Sequence, residues 1–165
     1  MPPETDNLKL EELFQEDQRD RERVYGTEEE IVKLKERDAG RRKRVTVMME
    51  LGEIKTKNDL YHAAVIFQHG ENHVEFLTSH RLATLAAILG HRTARWLLAA
   101  SLDRYLMSIG VGQIYGTQFE YNPGEKRYQL KLPVQEPIML SFEKETLGVP
   151  AVSDRLKQLN SHIKK

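Results

Sequence analysis

HVEFLTSHRLATLAAILGHRTARWLLAASLDRYLMSIG, residues 73–110, is the stretch whose reading decides the fold. It is rich in Ala and Leu, contains no proline, and is broken by Gly90 and ended by Gly110. Glycine suits the left-handed residue that follows a helix. The spacing therefore predicts two helices, about 73–89 and 92–109, whose small and large apolar residues alternate as in tightly packed helix pairs. No repeat extends this pair into a solenoid.

Upstream, Thr56 with Asp59 three residues on resembles a capping box and predicts a helix running through Gln68, with Gly70 and Asn72 breaking it. Two earlier periodic runs predict helices at about 8–25 (Leu10, Leu13, Phe14, Val24) and 28–51 (Ile31, Leu34, Val45, Met48), separated by Gly26-Thr27 and ended by Gly52. Met1–Asn7 reads as a flexible tail. Downstream the pattern alternates at Tyr115, Thr117, Phe119 and Tyr121, turns at Asn122-Pro123-Gly124, and resumes from Tyr128 to Leu132. That is a β-hairpin, limited by Pro133 and Pro137. Pro150 precedes a last amphipathic helix carrying Val152, Leu156, Leu159 and Ile163, with Lys164-Lys165 at its dipole-favoured end. The expected fold is mainly α: one compact helical domain, residues 8–165, of about six helices with one small C-terminal β-hairpin.

Composition narrows the function classes. The 165 residues carry 25 basic and 25 acidic side chains, so no net field draws the chain to nucleic acid or to an anionic membrane. No apolar run approaches a membrane span. The absence of cysteine removes disulfides, thiolate catalysis and sulfur-ligated zinc. The start, MPPETDNLKL, lacks the basic and apolar regions of a signal peptide, giving the expectation of a cytoplasmic protein, or an exported one whose leader is not part of this sequence. Oligomeric state stays open.

Charge is uneven. Residues 61–119 hold only Glu71, Glu75 and Asp103 against Arg81, Arg92, Arg95 and Arg104, so the core is expected there, and polar residues on its apolar stripes need partners or a use. Asp103 falls on the stripe of Trp96, Ala99, Ala100 and Met107 and is expected to pair with a histidine or with Arg21. His62 and His69 flank Val65 and Ile66, and His73 and His80 follow closely. In the first helix Asp17, Gln18 and Arg21 interrupt the stripe, either as a polar site or as a solvated i,i+4 pair. Asp38 interrupts the second, where Arg41 and Arg42 are placed to neutralise it at the surface. The run Arg41-Arg42-Lys43-Arg44 reads as a solvated helix face. Gly110–Gln118 offers neutral donors and acceptors at Gln113, Tyr115, Thr117 and Gln118 on a glycine-rich turn, without a phosphate-loop spacing. The histidines lack the carboxylate and spacing context of a metal site, so no metal or other cofactor is expected.

The words Gln68-His69-Gly70, Leu102-Asp103-Arg104-Tyr105-Leu106 and Gln113-Ile114-Tyr115-Gly116-Thr117-Gln118-Phe119, in that order, resemble a bacterial protein family marked by QH, DR and YGTQ motifs. Asp17-Gln18 is similar to an early DQ word of that family, and Leu147–Pro150 to its LGVP segment. The resemblance spans about residues 17–150. It implies a shared polar site and no particular reaction, since the family has no assigned function.

Two functions of different kinds follow. In one, His69 and Asp103 are a catalytic acid–base pair of a hydrolase or lyase that needs no metal, and Asp17, Gln18, Arg21, His62, Gln68, His80, Arg104, Gln113, Tyr115, Thr117 and Gln118 bind a small polar ligand. In the other, the chain is a helical protein-interaction module whose buried polar network is structural.

Overall fold

The computed structural model describes residues 5–136, 139–161 and 163. Among them the chain forms α1 (Leu8–Arg21), α2 (Glu28–Glu50), α3 (Lys57–Gln68), α4 (His73–Ile88), α5 (Ala94–Ser108), a hairpin of β1 (Phe119–Asn122) and β2 (Arg127–Leu130), then α6 (Glu143–Leu147) and α7 (Val152–Ser161). The architecture is mainly helical with one small antiparallel hairpin, as expected. Pro137, Lys164, Lys165 and the first four residues lie outside the described residues. No described helix is long and apolar enough to cross a membrane.

The core forms around α3, whose residues from Ala63 to Gln68 are all buried. Leu10 and Leu13 of α1, Val45 and Met48 of α2, Leu82 and Ala83 of α4 and Leu97 of α5 close on it. Ala63, Ala64, Ala83, Ala86, Ala99 and Ala100 are fully enclosed, so α3, α4 and α5 pack with small side chains at their contacts. A buried leucine such as Leu10 contributes roughly 2 kcal/mol by leaving water. A second cluster of Ala99, Tyr115 and Val149, with Leu102 and Leu147 against it, ties the C-terminal segment to α5.

The helix starts follow local chemistry. Thr56 and Asp59 form the capping box, and Thr27 with Glu30 forms another. Asn7, read as tail, caps α1 through Lys9 N and Leu10 N, and its own N–H donates to Asp59 Oδ1 at 2.8 Å. Gly90 and Gly110 take φ of 87° and 80° just past α4 and α5, the conformation for which a residue without Cβ is suited.

Three boundaries and one added helix differ from the sequence reading. The first helix ends at Arg21 rather than 25: Val24 is 95% exposed, and the Tyr25 hydroxyl turns back to donate to Asp20 O. The first strand begins at Phe119, because the N–H groups of Tyr115 and Thr117 are consumed by the Asp103 carboxylate and Gly116 takes φ of 76°. The second strand ends at Leu130. The extra helix is α6, a single short segment ending at Gly148.

The basic run is not one solvated face. Arg41 and Arg42 are buried, and only Lys43 and Arg44 face solvent. Arg41 Nη2 lies 2.9 Å from Asp20 and 2.5 Å from Asp38, so Asp38 is neutralised inside the α1–α2 contact rather than at the surface.

Candidate functional site

Four segments distant in sequence meet at one cleft of about 380 Å³. Gln18 and Arg21 of α1, Gln68 and His69 at the end of α3, Arg104 of α5, and Thr117 and Gln118 of the following loop all line it. The rest of its wall comes from Tyr61, Val65, Trp96 and Leu97, from Phe119 and Tyr128 of the hairpin, and from Arg155 and Leu159 of α7.

His69 is the C-cap of α3. Its position is fixed from behind, since Arg42 donates to the His69 carbonyl at 2.9 Å and to Glu75 Oε1 at 2.8 Å. Gly70 follows because a Cβ there would sit 2.6 Å from the Glu75 Cβ and 2.9 Å from the Phe67 carbonyl oxygen. His69 and His73 therefore do not share a helix: one ends α3 and the other opens α4. Among the described residues no group of three or more His, Asp or Glu side chains is placed to hold a metal ion.

The partner of His69 is Asp17, not Asp103. Nδ1 of His69 lies 2.9 Å from Asp17 Oδ1, and the same carboxylate accepts from Arg21 at 3.2 Å and from Gln18 at 2.9 Å. Asp17 is only 1% exposed. Burial works to raise its carboxyl, but the hydrogen bond and charge of His69, together with Arg21, hold it below the ordinary carboxylate value. It is ionised at neutral pH, so Nδ1 donates to it and Nε2 is the ring nitrogen left to other partners.

Arg104 stands across the cleft. Its Nη1 donates to the Gln68 carbonyl at 2.6 Å, its Nε to Gln118 Oε1 at 3.2 Å, and its guanidinium lies 5.7 Å from the Phe76 ring centre. Burial, and then the charge of Arg21, lowers its pKa, yet a guanidinium stays protonated at any working pH. The Gln118 amide is oriented by the bonds of its Nε2 to the Ala100 carbonyl and to Thr117 Oγ1. Gln68 is buried, with its Oε1 accepting from Ser79.

Asp103 is spent on the loop. Its Oδ1 accepts from Ile114 N at 2.7 Å and Tyr115 N at 2.9 Å, and its Oδ2 from Thr117 N at 3.0 Å and Thr117 Oγ1 at 2.8 Å. Neither a histidine nor Arg21 pairs with it; backbone N–H groups replace the expected cation.

Four other expected binding residues also lie outside the cleft. Gln113 is fully enclosed, its amide bonded to Gln118 and to the Lys131 carbonyl. Tyr115 packs on Ala99 and Val149, and its hydroxyl donates to Glu143 at 2.8 Å. Burial first, then that bond, pushes Tyr115 up to about 12, so it is a neutral phenol. His62 stacks on Phe14 with ring centres 4.3 Å apart, its Nδ1 buried without a hydrogen-bond partner among the described residues. Burial lowers its pKa. His80 holds the Leu98 carbonyl through Nδ1.

Sequence reasoning missed Tyr61, Trp96, Phe119, Tyr128 and Arg155 in the wall. The hairpin pairing carried a usable signal: Phe119, Tyr121, Tyr128 and Leu130 share one face of the two-stranded ribbon. Nothing in the pattern singled out Arg155.

No protein-family model, curated protein or solved structure matches the chain. What the cleft can do is therefore argued from its own chemistry. A histidine held at one nitrogen by an ionised acid, with its other nitrogen free of protein partners among the described residues, is a group able to take and return a proton.

Proposed function

We propose that the cleft is the acid–base site of a small-molecule hydrolase or lyase, with His69 moving the proton and Asp17 positioning the ring. The supporting observation is the 2.9 Å contact between His69 Nδ1 and the buried Asp17 carboxylate, at the edge of a cleft into which His69 also opens. Asp17 selects the tautomer and stabilises the imidazolium formed when Nε2 accepts a proton. In hydrolysis that proton comes from water as its oxygen attacks, and it is returned to the leaving group. In elimination it comes from carbon, and the electron pair left behind expels the leaving group. Gln18, Gln68, Thr117 and Gln118 supply neutral polar groups around the reacting molecule.

The interaction-module reading draws its support from the Asp103 and Gln113 bonds, which are closed and structural. It leaves unexplained why Asp17 orients a ring at a cleft rather than another buried donor.

The test is a thermal-shift screen of a metabolite library, followed by NMR detection of turnover for the compounds that bind. Turnover should fall about 100-fold or more in His69→Gln, with little loss of melting temperature. A wild type that binds nothing, or a His69→Gln variant that turns over equally fast, overturns the reading.

A further inference from the structure

The inner arginines of this protein are paired with carboxylates almost completely, whereas the buried Asp59 and Asp103 are held by backbone N–H groups instead. Asp17, Asp20 and Asp38 face Arg21, Arg37 and Arg41 across the α1–α2 contact, and Arg42 is matched by Glu75. Arg104 is the exception. Its protein acceptors are a carbonyl and an amide oxygen, both neutral, and Nη2 has no hydrogen-bond partner among the described residues. Among the described residues no Asp or Glu lines the cleft, whereas Arg21, Arg104 and Arg155 all do. Removing a guanidinium from water against neutral dipoles alone is unfavourable, and an anion from solution would offset it.

We propose that the ligand of this cleft is a small organic carboxylate, its head on Arg104 beside His69 and its apolar body along Tyr61, Trp96 and Tyr128. The assignment rests on the acid–base cleft described above and deepens it by naming the ligand class. Arg21 is already balanced by Asp17 and Asp38, so Arg104 is the one uncompensated charge among the inner arginines. That favours a monoanionic head over a phosphate dianion. Arg155, at the α7 side, is held by Gln158 Oε1 at 2.6 Å and has no carboxylate partner among the described residues, which leaves it as a secondary attraction at the wall. The four aromatic rings of the lining, Tyr61, Trp96, Phe119 and Tyr128, supply the apolar surface. A cavity of about 380 Å³ is at the small end of ligand sites and suits a single ring or a short chain behind the carboxylate.

Trp96 is the only tryptophan and lines the cleft, so its fluorescence reports occupancy directly. The probes are 3-phenylpropionate, its amide, phenyl phosphate and phenethylamine, titrated into the wild type, Arg104→Gln, Arg104→Lys and His69→Gln. The carboxylate should bind saturably, at least about tenfold tighter than the isosteric amide, a difference of about 1.4 kcal/mol. Arg104→Gln should lose this preference, while Arg104→Lys and His69→Gln should keep it. A melting curve for each variant separates lost charge from lost fold, and Arg104→Lys retains the charge if Arg104→Gln is too unstable to titrate. Equal affinity for acid and amide, no saturable response to any probe, or a tenfold preference for phenyl phosphate overturns the proposal. Loss of the carboxylate preference alongside His69-dependent turnover of another compound refutes the ligand class and leaves the acid–base reading intact. Carboxylate binding in a protein whose turnover is indifferent to His69 does the reverse.

Discussion

Replacing Asp103 by asparagine changes one oxygen to an NH2 group and removes a charge, inside a site where every contact is a donor. Four bonds reach the carboxylate, from Ile114 N, Tyr115 N, Thr117 N and Thr117 Oγ1. In the most favourable arrangement the amide oxygen keeps the two bonds from Ile114 and Tyr115, and the Thr117 hydroxyl reverses to accept from the new NH2. The Thr117 N–H is then left facing a donor. Bonds to a charged acceptor contribute about 1.5–3 kcal/mol each against about 1 for neutral ones, and an orphaned buried N–H costs about 1–3 kcal/mol. The Asp103 side chain is fully enclosed. The expected destabilisation is about 3–5 kcal/mol, a large part of the margin of an ordinary domain. Urea unfolding at neutral pH, followed by far-UV circular dichroism and Trp96 fluorescence, measures it as a lower midpoint with unchanged slope. An Asp103→Asn protein that unfolds within about 1 kcal/mol of wild type yet has lost all ligand binding or turnover would refute the structural role and return Asp103 to the reacting chemistry.

Two further outcomes are expected. Burial works to raise the Asp20 carboxyl, but the bonds and charges of Arg37 and Arg41 pull it to about 2. Its folded pKa is below the unfolded value of about 3.9, so its contribution of about 2 kcal/mol is present above that pH and is lost as pH falls toward 2. Asp20→Asn should flatten the acid limb of stability measured by urea titration, and an unchanged limb would count against the Asp20–arginine cluster. Gly70→Ala should cost about 1–3 kcal/mol by overpacking, because the new Cβ meets the Glu75 Cβ at 2.6 Å. Its chemical denaturation midpoint and the His69 imidazole NMR shifts should both move, and a variant with neither change would show that the turn has room the distances deny.

The helices were legible because their signals are local: a capping box at Thr56–Asp59, apolar periodicity, and glycines past α4 and α5. The partners of the buried acids were not. Asp103 is neutralised by backbone N–H groups, and these carry no side-chain signature, so its stripe position led to the wrong expectation of a cation. Arg41 and Arg42 illustrate the opposite failure. A basic run on a charged helix reads as solvated, and only the apposition of Asp20, Asp38 and Glu75 from elsewhere in the chain makes burial possible. Among the histidines, all four candidates looked alike in sequence; what separates His69 is that its helix ends there and Asp17 of α1 meets its ring.

Asp17 and Asp103 show why two equally buried carboxylates do different work. Asp17 is held by side chains that themselves face the cleft, Gln18, Arg21 and His69, so its charge acts on groups a ligand can touch. Asp103 is held by the loop, so its charge acts on geometry, and that geometry reaches the cleft by a traceable route. It anchors Thr117, next to Gln118, whose amide holds Arg104 Nε; Arg104 in turn holds the carbonyl of Gln68, the residue before His69. Adjacent residues Asp103 and Arg104 point about 100° apart on α5, one into the loop and one into the cleft, and the loop closes the circuit between them. The QH, DR and YGTQ words are thus successive links of one hydrogen-bonded chain. Loss of ligand binding after a destabilising change at Asp103 or Gln118 is therefore no evidence of contact with the ligand, and variants of Arg104 and His69 that retain their melting temperature are the ones that can assign it.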